Sequence, residues 1–191
     1  MCSQVYSGGA GVKSFVNLGS IPSGVPIPAD QILEAHAARL LILLSETGPK
    51  GSIHGLTKLA KLDFFLRYPE FFSRVTGVGS PDLLPESTMI RFRYGPWDPR
   101  YYQVLPYLES RALIRIIRSG KAYTFSLTDA GCVIVQRLSQ YPDFSDTISQ
   151  ARAVGKKLGH MSGSELKNLI YTTFDQEVSD LALGEDIHHA K

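Results

Sequence analysis

Apolar residues recur at helical spacing along most of the chain from residue 30 onward. Leu33, Ala37, Leu40 and Leu44 form one stripe, widened by Ile32, Leu41, Ile42 and Leu43. This predicts a helix from Asp30, as its N-cap, to about Glu46, buried on most sides and ended by Thr47-Gly48-Pro49-Lys50-Gly51. Leu56, Leu59, Leu62 and Leu66 predict a second helix over about Ile53–Arg67, with Asp63 one turn before Arg67. Pro69 interrupts it, Glu70–Val75 forms a further turn or two, and Thr76–Ser87 reads as a loop. The period then changes from helical to two: Met89–Tyr94 alternates, with Ile90, Phe92 and Tyr94 on the face expected to be buried and Arg91 and Arg93 on the other.

Gly95-Pro96-Trp97-Asp98-Pro99 reads as a rigid turn, with Asp98 capping a third helix through Tyr101, Leu105 and Leu108, which Pro106 bends. Leu113–Arg118 and Ala122–Leu127 predict a hairpin closed by Ser119-Gly120-Lys121. Thr128 then caps a helix to Leu138. Two more helices follow, at about Phe144–Leu158 and Ser164–Phe174, the latter opened by a Ser162/Glu165 capping box. Helix, helix, strand, helix, hairpin and closing helix is the succession of a winged helix. The expected class is therefore α+β, mostly helical, with a winged-helix domain over residues 30–140. Helices at 141–178 are expected to pack on it or on a partner. Residues 1–29, rich in Gly, Ser and Pro, read as a flexible arm, and 179–191 as a tail.

With 43% apolar and 20% charged residues in a chain of 191, general disorder is excluded. No apolar run is long enough for a membrane span, and Met1-Cys2-Ser3-Gln4 lacks the features of a secretory signal. Two cysteines, Cys2 and Cys132, cannot build a disulfide framework, so the expected compartment is the cytoplasm. The net charge of +2 is unevenly spread: residues 78–140 carry eight basic and five acidic side chains, residues 141–191 five and eight. Such an imbalance fits nucleic-acid contact or charge-matched docking.

Motifs of catalysis are missing. Within the predicted helices no histidine pairs at metal-ligand spacing with another His or an acid, and His188-His189 falls in the expected tail. Ser119-Gly120-Lys121 lacks the upstream glycine of a phosphate loop, and no Gly-x-Ser-x-Gly elbow occurs. No metal, cofactor or enzymatic activity is expected. Binding is expected instead. Arg91, Arg93, Arg115, Arg118 and Lys121 fall on the strand and hairpin that supply phosphate contacts in DNA-reading winged helices. The third helix, however, offers Tyr101, Tyr102, Gln103 and Tyr107, of which only Gln103 suits a base edge. Aromatics beside arginine are typical of protein interfaces. Arg67, Tyr68, Trp97, Arg100, Tyr101 and Tyr102 are the expected partner surface.

Three stretches carry a family resemblance: Gly55-Leu56-Thr57-Lys58-Leu59-Ala60-Lys61-Leu62-Asp63-Phe64-Phe65-Leu66-Arg67-Tyr68-Pro69, Arg91-Phe92-Arg93-Tyr94-Gly95-Pro96-Trp97-Asp98-Pro99-Arg100-Tyr101-Tyr102, and Ser162-Gly163-Ser164-Glu165-Leu166-Lys167-Asn168-Leu169-Ile170-Tyr171. In that order, over about residues 30–178, the chain resembles the middle component of bacterial ABC-three-component systems. That family includes the small subunit of Lamassu anti-phage defence. The resemblance implies a non-catalytic subunit whose partners are an SMC- or Rad50-like ABC ATPase and a separate effector, commonly a nuclease. Nucleic acid would be met mainly through the complex, and a membrane not at all. The alternative is a free-standing winged-helix DNA-binding regulator or antitoxin. Ala112 stands where related winged helices often place glycine before the wing.

Overall fold

The computed structural model describes residues 31–48, 51–78, 88–93 and 95–188. The expected Asp30 cap, the arm at 1–29 and the strand position of Tyr94 lie outside the described residues. The fold is mixed α+β and mostly helical, with two small antiparallel sheets. Its elements are α1 (Leu33–Thr47), β1 (Ser52–His54), α2 (Leu56–Arg67), α3 (Pro69–Thr76), β2 (Met89–Phe92), β3 (Gly95–Trp97) and α4 (Tyr101–Ser110). Then come β4 (Ile114–Ser119), β5 (Ala122–Leu127), α5 (Asp129–Leu138), α6 (Ser145–Leu158), α7 (Gly163–Thr173) and β6 (Asp186–Ile187). One sheet has the order β1-β5-β4 and the other β3-β2-β6. Among the described residues, no helix is long and apolar enough to cross a membrane.

Local signals place several elements where the spacing predicts them. Thr128 accepts from the Gly131 amide at 3.0 Å, and Ser162 and Glu165 form the reciprocal capping box at 3.2 and 2.6 Å. Gly120 turns the β4–β5 hairpin at φ +60°. Ala112 takes the left-handed φ of +54° that glycine adopts without strain.

Four local expectations are corrected. Ile53 does not open a helix: Ser52–His54 is a strand on β5, with Ile53 opposite Phe125 and both buried. Gly55, at φ +92°, then redirects the chain into α2. Gly95–Trp97 is a strand paired with β2, with Arg91 opposite Pro96. Along β2 the buried residue is Met89, while Phe92 is exposed, because Met89 faces Ile187 of β6 in the register. That pairing also folds part of the expected tail back onto the body, with Ile187 fully buried.

α1 and α2 occupy the centre. Phe64, Phe65, Tyr68, Phe71 and Phe174 pack with ring centroids 4.7–6.5 Å apart, each burial of such a ring contributing about 1.5–3 kcal/mol. The C-terminal helices pack on this body, α6 on α1 and α7 on α2. Gly155 permits the α1 approach, since a Cβ there would lie 2.0 Å from the Glu46 carbonyl oxygen.

Candidate interaction surface

Asp63 of α2 organises the interior beneath the surface. Arg39 of α1 donates to its Oδ1 at 2.8 Å, Arg67 to its Oδ2 at 3.0 Å, and the Tyr101 hydroxyl to the same Oδ2 at 2.6 Å. Arg67 also pairs with Asp98, whose Oδ1 accepts from the Arg100 amide at 2.9 Å and its Nε at 3.0 Å. His36 bridges the two flanking arginines, 3.1 Å from Arg39 and 3.2 Å from Arg100.

Burial alone would raise both carboxyls. The charges of Arg39 and Arg67, joined by the Tyr101 hydrogen bond, instead hold Asp63 below its ordinary range. Arg67 and then Arg100 bring Asp98 down to about 2. Asp98 thus serves as a buried counter-ion and, through the Arg100 amide, as the acceptor at the turn into α4, whose own N-cap residue Arg100 makes no side-chain cap.

Of the six residues expected to meet a partner, three are interior. Arg67, Tyr68 and Tyr101 are at most 3% exposed, so their side chains have no surface to offer. Tyr68 spans the second sheet, donating to the Ile187 carbonyl at 2.9 Å and accepting from the Met89 amide at 2.8 Å. Burial first, with the negative charges of Glu70 and Asp186 behind it, pushes its hydroxyl up to about 12 against the opposing Met89 amide and Arg67 charge. Arg100 and Trp97 are half-buried, and Tyr102 stands 70% exposed.

These outer residues belong to an aromatic ridge with a hollow on each side. Trp97 meets Tyr101 edge-on at 5.2 Å, with Tyr102 at 5.8 Å and Phe92 at 6.1 Å. One hollow, of about 210 Å³, lies among Phe92, Trp97, Tyr102, Leu56, Thr57 and Lys61. The other, of about 300 Å³, runs from Tyr102 and Leu105 across Pro106 to Ile116 and Tyr123 of the hairpin. Leu56 and Tyr102 line both.

Lys61, Leu56, Phe92 and Tyr123 were not singled out by sequence reasoning. The hairpin members carried a signal in the two-residue period, because Ile116 faces Phe125 and Arg118 faces Tyr123 across the β4–β5 ladder.

The expected basic surface is divided. Arg115 and Arg118 differ in parity along β4 and so project from opposite faces. Arg118 lies over the Tyr123 ring at 5.9 Å, and Lys121 is exposed at the hairpin tip. Arg91 and Arg93 belong to the other sheet and its edge, Arg91 half-buried and Arg93 exposed. On α4 the exposed residues are Tyr102, Gln103, Pro106, Glu109 and Ser110, with no lysine or arginine among them. Among the described residues, no group of three or more His, Cys, Asp or Glu side chains is arranged to hold a metal.

Compared with family models, with curated proteins and with solved structures, the chain finds no match.

Proposed function

We propose that this chain is a non-catalytic adaptor of a bacterial anti-phage defence complex, joining an SMC- or Rad50-like ABC ATPase to an effector such as a nuclease. The body would be a winged helix. Connectivity supports that reading: α1, β1, α2, α4 and the β4–β5 hairpin follow in order, with β5 between β1 and β4. In these terms α3, β2 and β3 are an insertion before the third helix, and the hairpin is the wing.

The adaptor reading rests on one observation above all: Tyr102, on an exposed face of α4 that carries no cation, projects between two hollows with largely apolar walls. A helix reading DNA at this place would need side chains that neutralise phosphates. The middle of a protein interface is instead poor in charge and rich in aromatic anchors. Gating by such a subunit requires that it bind one state of the ATPase more tightly than another.

Co-expression with a neighbouring-gene ATPase carrying Walker motifs and long heptad stretches tests the proposal. A Trp97→Ala/Tyr102→Ala chain with unchanged circular dichroism should lose co-purification, and undiminished co-purification removes this surface from the mechanism. The regulator or antitoxin reading draws on the exposed Arg115, Arg118 and Lys121. It requires specific duplex affinity that falls steeply with salt, read by gel shift at two salt concentrations.

A further inference from the structure

The smaller hollow is apolar along its walls and cationic at one end. Leu56, Phe92, Trp97 and Tyr102 supply the walls. Thr57 and Lys61, one turn apart on α2, supply the polar end. Lys61 is 1% exposed and donates to the Pro96 carbonyl at 2.8 Å. No carboxylate among the described residues lies within ion-pair distance of it. An ammonium has three donors, and a buried one without a counter-ion is costly.

The surroundings add positive character. Lys167 of α7 acts on the same amine as a second cation, and together with the larger effect of burial brings its pKa down to about 7. Leu56 and Thr57 are also the first residues of α2, whose N-cap, Gly55, offers no side-chain acceptor and whose first turn holds no acid. The positive end of that twelve-residue helix therefore borders the hollow. Gly95 lines the hollow beside Lys61, its φ of +92° being a backbone conformation that glycine adopts without strain.

Size narrows the choice of ligand. An apolar cavity of about 150 Å³ accommodates benzene, so about 210 Å³ takes one six-membered ring with a short polar substituent. We propose that this hollow is a binding site for a small aromatic carboxylate, its ring held among Phe92, Trp97 and Tyr102 and its carboxylate directed to Lys61 and the start of α2. An arriving anion supplies the charge partner that the described residues do not provide for this lysine. The site stands independently of the adaptor reading, because it needs no second polypeptide.

Trp97 is the single tryptophan of the chain and forms part of the wall, so its emission reports occupancy. At about pH 6, where the Lys61 amine carries its proton and phenylacetate is ionised, the purified full-length chain is titrated with phenylacetate, with its neutral counterpart phenylacetamide, and with acetate, which lacks the ring. Phenylacetate should give a saturable change, with phenylacetamide and acetate each at least about tenfold weaker. Lys61→Met, which keeps the length of the stem, should weaken phenylacetate at least about tenfold while leaving phenylacetamide unaltered. Equal affinity for phenylacetate and phenylacetamide overturns the proposal, as does the absence of any saturable response to phenylacetate. Both of those outcomes are read on the unmodified protein, so they hold even where the variant fails to fold.

Discussion

The hydroxyl of Tyr101 donates to Asp63 Oδ2 at 2.6 Å, tying the first residue of α4 to the middle of α2. Asp63 also accepts from Arg39 of α1, so one carboxylate joins three helices. Removing only the hydroxyl, as Tyr101→Phe, should cost about 1.5–3 kcal/mol, the usual worth of a hydrogen bond to a charged group. Asp63→Asn should cost more, about 3–5 kcal/mol, because it leaves buried guanidinium charge uncompensated. Urea denaturation midpoints of the two variants check both the sizes and their order.

Acid should unfold the protein through the same cluster. Asp98 keeps its charge down to about pH 2 in the fold, against an ordinary value of 3.8. Between those values the unfolded chain binds more protons, so the contribution is complete above pH 3.8 and disappears as pH falls towards 2. Asp63 is shifted in the same direction and adds to the loss. Denaturation midpoints should therefore fall across that window, and Asp98→Asn should show a shallower fall.

At the alkaline side Lys61 acts with the same sign, over a higher pH window. Its amine titrates near 7 in the fold and at 10.5 when unfolded, so between the two the unfolded chain holds the extra proton. Stability from this group therefore rises with pH through that interval, and the cost of burying the charged form is greatest below it. Relative to Lys61→Met, the unaltered chain should gain stability when the pH is moved from about 6 to about 9. Paired denaturation curves at the two pH values measure it; a difference that stays constant contradicts the shift.

Ala112→Gly should stabilise the turn before β4. A side chain at φ +54° crowds the following carbonyl, at roughly 1–2 kcal/mol, and the freer unfolded glycine chain gives back part of that relief. A net gain of about 0.5–1 kcal/mol is expected from thermal or urea unfolding. A loss of stability would mean that the alanine methyl makes a compensating contact.

Sequence alone determined what depends on near neighbours. The Thr128 cap, the Ser162/Glu165 box and the Gly120 hairpin rest on groups a few residues apart, which any folded context leaves together. The glycine-like turn at Ala112 was suggested only by the family resemblance, since an alanine carries no local signal for a positive φ. Of the candidate surface, Trp97 and Tyr102 could be read from their aromatic character and Tyr101 lay on the apolar stripe of Leu105 and Leu108, whereas Arg67 and Tyr68 carried no sign of being interior. Only the tertiary structure decided that, because the groups that make their burial tolerable arrive from afar. Asp98 lies 31 residues from Arg67, Asp63 lies 38 from Tyr101, and the Ile187 carbonyl lies 119 from Tyr68. Ile53 likewise became a strand because β5 came alongside, and Lys61 became a buried cation because β3 folded over it. A polar side chain's place, inside or out, follows from its distant partner, since desolvation is offset only by what the fold brings within hydrogen-bond reach.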